Sequence, residues 1–250
     1  MKAERSIMAV VAVALLLAVT TPAGASLLKT IGTADYYNGA AKVGTYNLIY
    51  DPEAPNIVNG VYQGTHGIVW LDYTRRDVAN VDPLSDTWQN QMAWANGLNG
   101  SGTYTITNYV LNTGYSMNWD GSSWRLPSTV DNNSSLGTNV TTAEMGHLYY
   151  TELGKPAGGP LGDPAPFTNL VSGVSSYWSG TEYAITPGDA WDFDFSTGTH
   201  FVLNESGSNY ALAVRPGLLE TSAVPEPSTY LLLGISLGVV GYARRRLSAR

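Results

Sequence analysis

Glu182, Asp192 and Asp194 are the carboxylates of this chain whose spacing could do chemistry. They lie on two consecutive strand-like stretches, and gathered on one sheet face they would offer the several hard oxygens that Ca²⁺ takes. The same alternation, with Trp191, Phe193 and Phe195 on the opposite face, also describes the wet side of a half-buried strand. A carboxylate pair raises glycoside hydrolysis too. That reaction needs one carboxyl group held protonated in an apolar setting, a condition that adjacent outward aspartates rarely meet. His66, His147 and His200 show no H-x-x-x-H or H-E-x-x-H spacing, so no metal site is read from them. Cysteine is absent, which excludes thiol enzymes, thiolate metal sites and disulfide scaffolds. With no G-x-S-x-G, P-loop or G-x-G-x-x-G either, the expectation is a non-enzyme whose one conceivable cofactor is Ca²⁺. Trp94 and Trp119 remain as aromatic surfaces on which a sugar could stack.

Strands and two helices must position these groups. Short strands are expected between Ser26 and Tyr62, and a firmer one at Gly67–Tyr73, which is aromatic and β-branched. Trp88, Met92, Ala95 and Leu98 recur at helical spacing, predicting a helix over Asp86–Leu98 capped by Ser85 or Asp86. Thr103–Leu111 alternates as a strand does, and Asp120-Gly121 marks a turn. Thr141-x-x-Glu144 reads as a capping box opening a second helix. Met145, Leu148, Tyr149 and Leu153 line its face and Gly154 closes it. After a Pro and Gly rich loop, three or four antiparallel strands run from Ser176 to Gly217. Helices early and hairpins late give an α+β expectation.

The two ends of the chain read as addresses. Lys2 and Arg5 precede an uncharged run from Ile7 to Val19, and Ala23-Gly24-Ala25 supplies the small residues that signal peptidase requires, so a leader of residues 1–25 is expected to be cut between Ala25 and Ser26. At the other end Pro225-Glu226-Pro227 is an extended strip, followed by an apolar stretch from Tyr230 to Ala243 and by Arg244, Arg245 and Arg246. As helix that stretch spans about 21 Å against a hydrocarbon core of about 30 Å, so it reads as a short transmembrane helix of marginal length. Residues 224–250 resemble the PEP-CTERM sorting signal of Gram-negative bacteria, recognised by an exosortase, a membrane protease-transpeptidase. The resemblance implies export, passage through the inner membrane, and delivery to the outer surface or extracellular matrix, where such proteins accompany exopolysaccharide and biofilm. Without leader and tail, seven Lys and Arg face 18 Asp and Glu, a net charge near −11. So acidic a surface excludes nucleic acid and disfavours anionic glycans, which leaves neutral exopolysaccharide as the expected partner.

Between the addresses, four spaced motifs occur in order: Gly67-Ile68-Val69-Trp70, Trp124-Arg125-Leu126-Pro127, Tyr177-Trp178-Ser179-Gly180-Thr181-Glu182, and Ala213-Val214-Arg215-Pro216. Together they resemble the Lcl C-terminal domain family, which is similar to C-type-lectin-like folds and to the fold of formylglycine-generating enzymes. The resemblance implies a C-type-lectin-like domain over residues 60–217 with two main helices and a C-terminal antiparallel hairpin-rich sheet. A β-rich extension (26–59) would precede it and a linker (218–223) follow it, with short hydrophobic helices flanking the whole.

Overall fold

Tyr, Ile, Val and Thr recur through residues 29–75, and such residues favour pleated, half-buried backbone. In the computed structural model, which describes residues 26–75, 86–119, 121–172 and 176–221, they form three long antiparallel strands. These are β1 (Lys29–Asn38), β2 (Ala41–Val58) and β3 (Val61–Arg75). Asn59 and Gly60, at φ 50° and 71°, make the two-residue turn between β2 and β3, because a turn with both central residues at positive φ matches strand twist and Asn-Gly tolerates it. Bulges between Asp51 and Ala54 and between Pro55 and Ile57 absorb the prolines of β2, which cannot donate to a ladder. The remaining strands are β4 (Tyr104–Leu111), β5 (Tyr115–Asn118), β6 (Tyr177–Glu182), β7 (Asp189–Asp194), β8 (Thr199–Asn204), β9 (Ala211–Pro216) and β10 (Leu218–Thr221).

The main sheet has the order β4-β1-β2-β3-β9, while β6-β7-β8 form a second sheet and β5-β10 a two-stranded ribbon. Both faces of the main sheet are covered. On one, Leu48, Val69, Leu71 and Ala213 pack with Tyr36, Tyr73, Trp94 and Trp124. On the other, Ile49, Ile68, Trp70 and Val214 pack with Leu148, Tyr149, Phe193 and Phe195. That double burial explains why the end of β3 reads as a continuous apolar run and not as an alternation.

The expected α+β fold with two main helices is overturned: the chain is mostly β. The first helix, α1 (Trp88–Gly97), is ten residues long, and the second, α2, is a single turn at Glu144–His147 that widens into a five-residue π-turn, Leu148–Glu152. The capping box does not form. Glu144 is itself the first helical residue, and its side chain turns away from the helix to meet Arg125. Gly154 does end the segment, at φ 60°. The C-terminal strands do not close one hairpin sheet either, since β9 leaves β8 and pairs with β3. Residues 29–58, read as an extension, run through the centre of the main sheet, and residues 218–221, read as linker, form β10 against β5. The leader, the sorting tail, and the two short flanking helices lie outside the described residues, as do Ser85 and Asp120. Among the described residues no helix is long and apolar enough to cross a membrane.

One ion pair ties these parts. Arg125 exchanges backbone hydrogen bonds with Val214 of β9, and its guanidinium donates two parallel bonds to the Glu144 carboxylate at 2.7 and 2.8 Å. The Ser128 amide donates to the same carboxylate at 2.6 Å. Glu144 is fully buried. Burial alone would raise its pKa, but the Arg125 charge, the bonds from Arg125 and Ser128, and nearby His66 outweigh it and hold the group near 2. Removing one partner of such a pair strands a charge, so Glu144→Gln is expected to cost about 3–5 kcal/mol at pH 7 in urea unfolding. Because the folded pKa lies below the ordinary value of 4.5, this stability is complete above about pH 4.5 and fades as pH falls toward about 2. The difference between wild type and variant should shrink over that window.

Candidate functional site

The residues singled out from the sequence do not converge. Trp94 is buried, donates from Nε1 to the Tyr36 hydroxyl at 3.1 Å, and carries the Arg75 guanidinium 5.5 Å from its ring. It lines a cavity of about 280 Å³ with Arg75 and Asp86, but its indole is almost entirely covered, which leaves little ring surface for a sugar. Trp119 is half-buried, with the Arg215 guanidinium 4.3 Å from its ring, on the wall of a cavity of about 220 Å³ that His66, Ser122 and Pro216 share. Arg215 also donates to the Ser122 carbonyl at 3.0 Å, so it braces this corner.

The three carboxylates part company as well. Asp194 closes the β7–β8 turn, accepting from the Ser196 amide and hydroxyl and from the Thr197 hydroxyl at 2.7 to 3.0 Å. Asp192 is buried and not on a wet face. Asn209 donates to its Oδ2 at 2.9 Å while Oδ1 has no partner, and burial, only partly offset by Asn209, pushes its pKa up to about 6. Glu182 alone is exposed, at the end of β6.

Glu182 borders a polar groove of about 470 Å³. The β2–β3 turn contributes Asn59, α1 contributes Trp88, and Ser128, Asp131 and Thr181 add polar groups to the lining. Trp88 is anchored by its Nε1, which donates to the Ser179 carbonyl at 2.7 Å. Asp131 is committed to the framework, accepting from Trp191 Nε1 at 2.9 Å and from the Ala184 amide at 3.2 Å. Glu182 is thus the carboxylate of the groove left for a ligand. Sequence reasoning placed Trp88 in the core and missed Asn59, although Asn-Gly between apolar runs is a strong turn signal.

A second cluster has no local signature in the sequence. Asp51 of β2, His147 of α2 and Glu152 of the π-turn are all buried, and one ligand atom from each lies within 4.8 Å of the others. In a regular α-helix, at about 100° per residue, a side chain five positions on points about 140° away. The wider π-turn reduces that angle and brings Glu152 beside His147, at 3.5 Å from Nε2 to the carboxylate, while Asp51 stands 3.7 Å away. Burial would lower the His147 pKa, but the two carboxylates more than reverse this and raise it to about 9. His200, buried against Phe193 with neither nitrogen partnered, goes the other way, down to about 3 through burial.

Comparison with known families matches residues 223–246 to the PEP-CTERM protein-sorting motif. The motif identifies an exported protein that an exosortase handles at the membrane. No curated protein and no solved structure matches the chain, and the Lcl C-terminal or C-type-lectin-like identity finds no support.

Asp192 yields a test of these electrostatics. Its folded pKa is raised from 3.8 to about 6, so stability falls as pH rises from about 4, and the loss is complete above about pH 6. Asp192→Asn keeps an acceptor for Asn209 and should gain on the order of 2 kcal/mol at pH 7.5. The gain should vanish in thermal unfolding below about pH 4, where Asp192 is itself protonated in both states.

Proposed function

We propose that this exported protein is a non-enzymatic component of the cell surface or extracellular matrix, and that its β-rich body binds neutral exopolysaccharide in the groove between Asn59, Trp88 and Glu182. The observation that carries the reading is the composition of that groove. An indole, an uncommitted carboxylate, an amide and hydroxyls face one polar cleft. Sugars present apolar C–H patches to an aromatic ring and hydroxyls to acceptors, and such a lining offers both. The net charge near −11 between the two end segments favours neutral over sulfated or phosphorylated glycans. The non-enzymatic reading is supported by Asp131. Hydrolysis calls for two working carboxyl groups, and Asp131 is held by Trp191 and Ala184. Sorting is read as a cut close to Pro225-Glu226-Pro227 that leaves the body on the surface.

Calorimetric titration of the purified protein with neutral oligosaccharides from the native envelope should show binding, weakened about tenfold by Glu182→Gln, the size expected for one charge-assisted hydrogen bond. No binding by the folded wild type would sink the glycan reading in favour of a structural surface role. Mass spectrometry of protein from its native envelope should find a C-terminus near Pro227. An intact Arg250 would contradict a cut there.

A further inference from the structure

We propose that Asp51, His147 and Glu152 bind one divalent transition-metal ion, zinc by donor type, which clamps the N-terminal segment, β2 and the π-turn together. The first argument is distance. At 3.5 and 3.7 Å the His147 Nε2 is too far from Glu152 and Asp51 for good hydrogen bonds. Two ligands bound about 2.0–2.1 Å from one tetrahedral ion stand roughly 3.4 Å apart, close to what is seen. The second argument is lack of partners. Asp51 is fully buried and its Oδ2 accepts no hydrogen bond, and His147 Nε2, also buried, has none. Polar atoms so placed are costly unless something satisfies them.

The third argument is orientation from outside the cluster. Glu152 Oε2 accepts from the Leu27 amide at 2.7 Å, the Ser26 hydroxyl at 3.1 Å and the Leu28 amide at 3.2 Å. These bonds turn Oε1 toward His147. Asp51 Oδ1, the oxygen 3.7 Å from His147 Nε2, also accepts from the Glu53 amide at 3.1 Å within the β2 bulge, which fixes the carboxylate beside the imidazole, while Oδ2 is left without a partner. Fixing ligands through such outer contacts is how proteins hold metal sites. The π-turn is the fourth, since it alone puts positions 147 and 152 side by side. The donor set selects the ion. An imidazole with two carboxylates suits zinc better than Ca²⁺ or Mg²⁺, which prefer oxygen throughout, and a dication balances the two carboxylates when His147 is neutral. A cysteine-free exported chain gains in this way a cross-link of the kind that others make with disulfides.

The test uses the purified full chain, dialysed against metal-free buffer after loading with ZnCl₂. Elemental analysis should give one zinc per chain, EDTA should lower the thermal midpoint, and ZnCl₂ should restore it. Cobalt substitution should give visible bands of a tetrahedral N/O site. His147→Gln or Asp51→Asn should weaken zinc affinity about 100-fold or more, since even outer-contact changes cost 10- to 100-fold. His66→Gln should retain one zinc. A folded wild type that takes up neither zinc nor cobalt and is indifferent to EDTA would overturn the site, leaving His147 as an imidazolium between two carboxylates. So would a folded His147→Gln variant that keeps its zinc. Should that variant fail to fold, the cobalt spectrum of the wild type decides alone. None of these readouts depends on glycan binding.

Discussion

A carboxylate with no exposed surface needs a fixed cation or several hydrogen-bond donors to stay ionised, and for Glu144 that cation is Arg125. The geometry of the rest follows from where the two come from. Arg125 is pinned by backbone bonds to β9 at the edge of the main sheet, and Glu144 is the first residue of α2, so the pair sets the height and rotation of α2 on the sheet. From there the order of residues does the work. His147 lies three positions after Glu144, over Asp51 of β2, while Ser128, whose amide also binds Glu144, leads into the segment that carries Asp131 to the groove. One buried pair thus holds two separate sites in register.

The cost of burying charge is also visible where no partner was supplied. Asp192 has one unbonded oxygen and a raised pKa, and His200 is kept neutral by an apolar pocket around Phe193. Neither is placed to act on a ligand, and Gly146, whose hydrogen faces His200 at a distance where a Cβ would stand 2.8 Å from the ring, shows how closely that pocket is filled. In a chain without disulfides, tight aromatic packing around Trp70, Trp124, Trp178 and Trp191, all fully buried, supplies what covalent links would.

How much of this was legible in the sequence depended on whether the determinant was local. β4, β6, β7 and β8 were, because alternation and turn residues are properties of neighbours. The Asn59-Gly60 turn was equally local, yet a resemblance drawn from motifs further on made position 60 a domain boundary. The capping box failed because Glu144 found a stronger partner in Arg125, nineteen residues earlier, a tertiary contact that no local rule contains. Trp94 and Asp192 were misjudged for a related reason. Whether a side chain is wet depends on what packs over it: Trp94 of α1 lies in the core beside Tyr36 and Tyr73, and Asp192 of β7 is buried against Asn209. The Asp51, His147 and Glu152 cluster was beyond reach altogether, since helical spacing sets positions 147 and 152 apart until the π-turn is known.

The sorting motif begins at residue 223, and the last described strand, β10, ends at Thr221, paired with β5. Pro227 lies six residue steps beyond Thr221, at most about 22 Å of extended chain. Any pull on the chain beyond Thr221 passes first into the β5–β10 ribbon. That ribbon is four residue pairs long, at the short end for strands. It joins the main sheet through Gly217, whose amide donates to Gly67 of β3 at 3.0 Å, and through the corner that Arg215 and Trp119 brace. In this arrangement the stacking of Arg215 on Trp119 has a structural task, holding the corner between the ribbon and the main sheet. The polar groove, lined by the β2–β3 turn and β6, is built from other elements, so its shape does not depend on the ribbon.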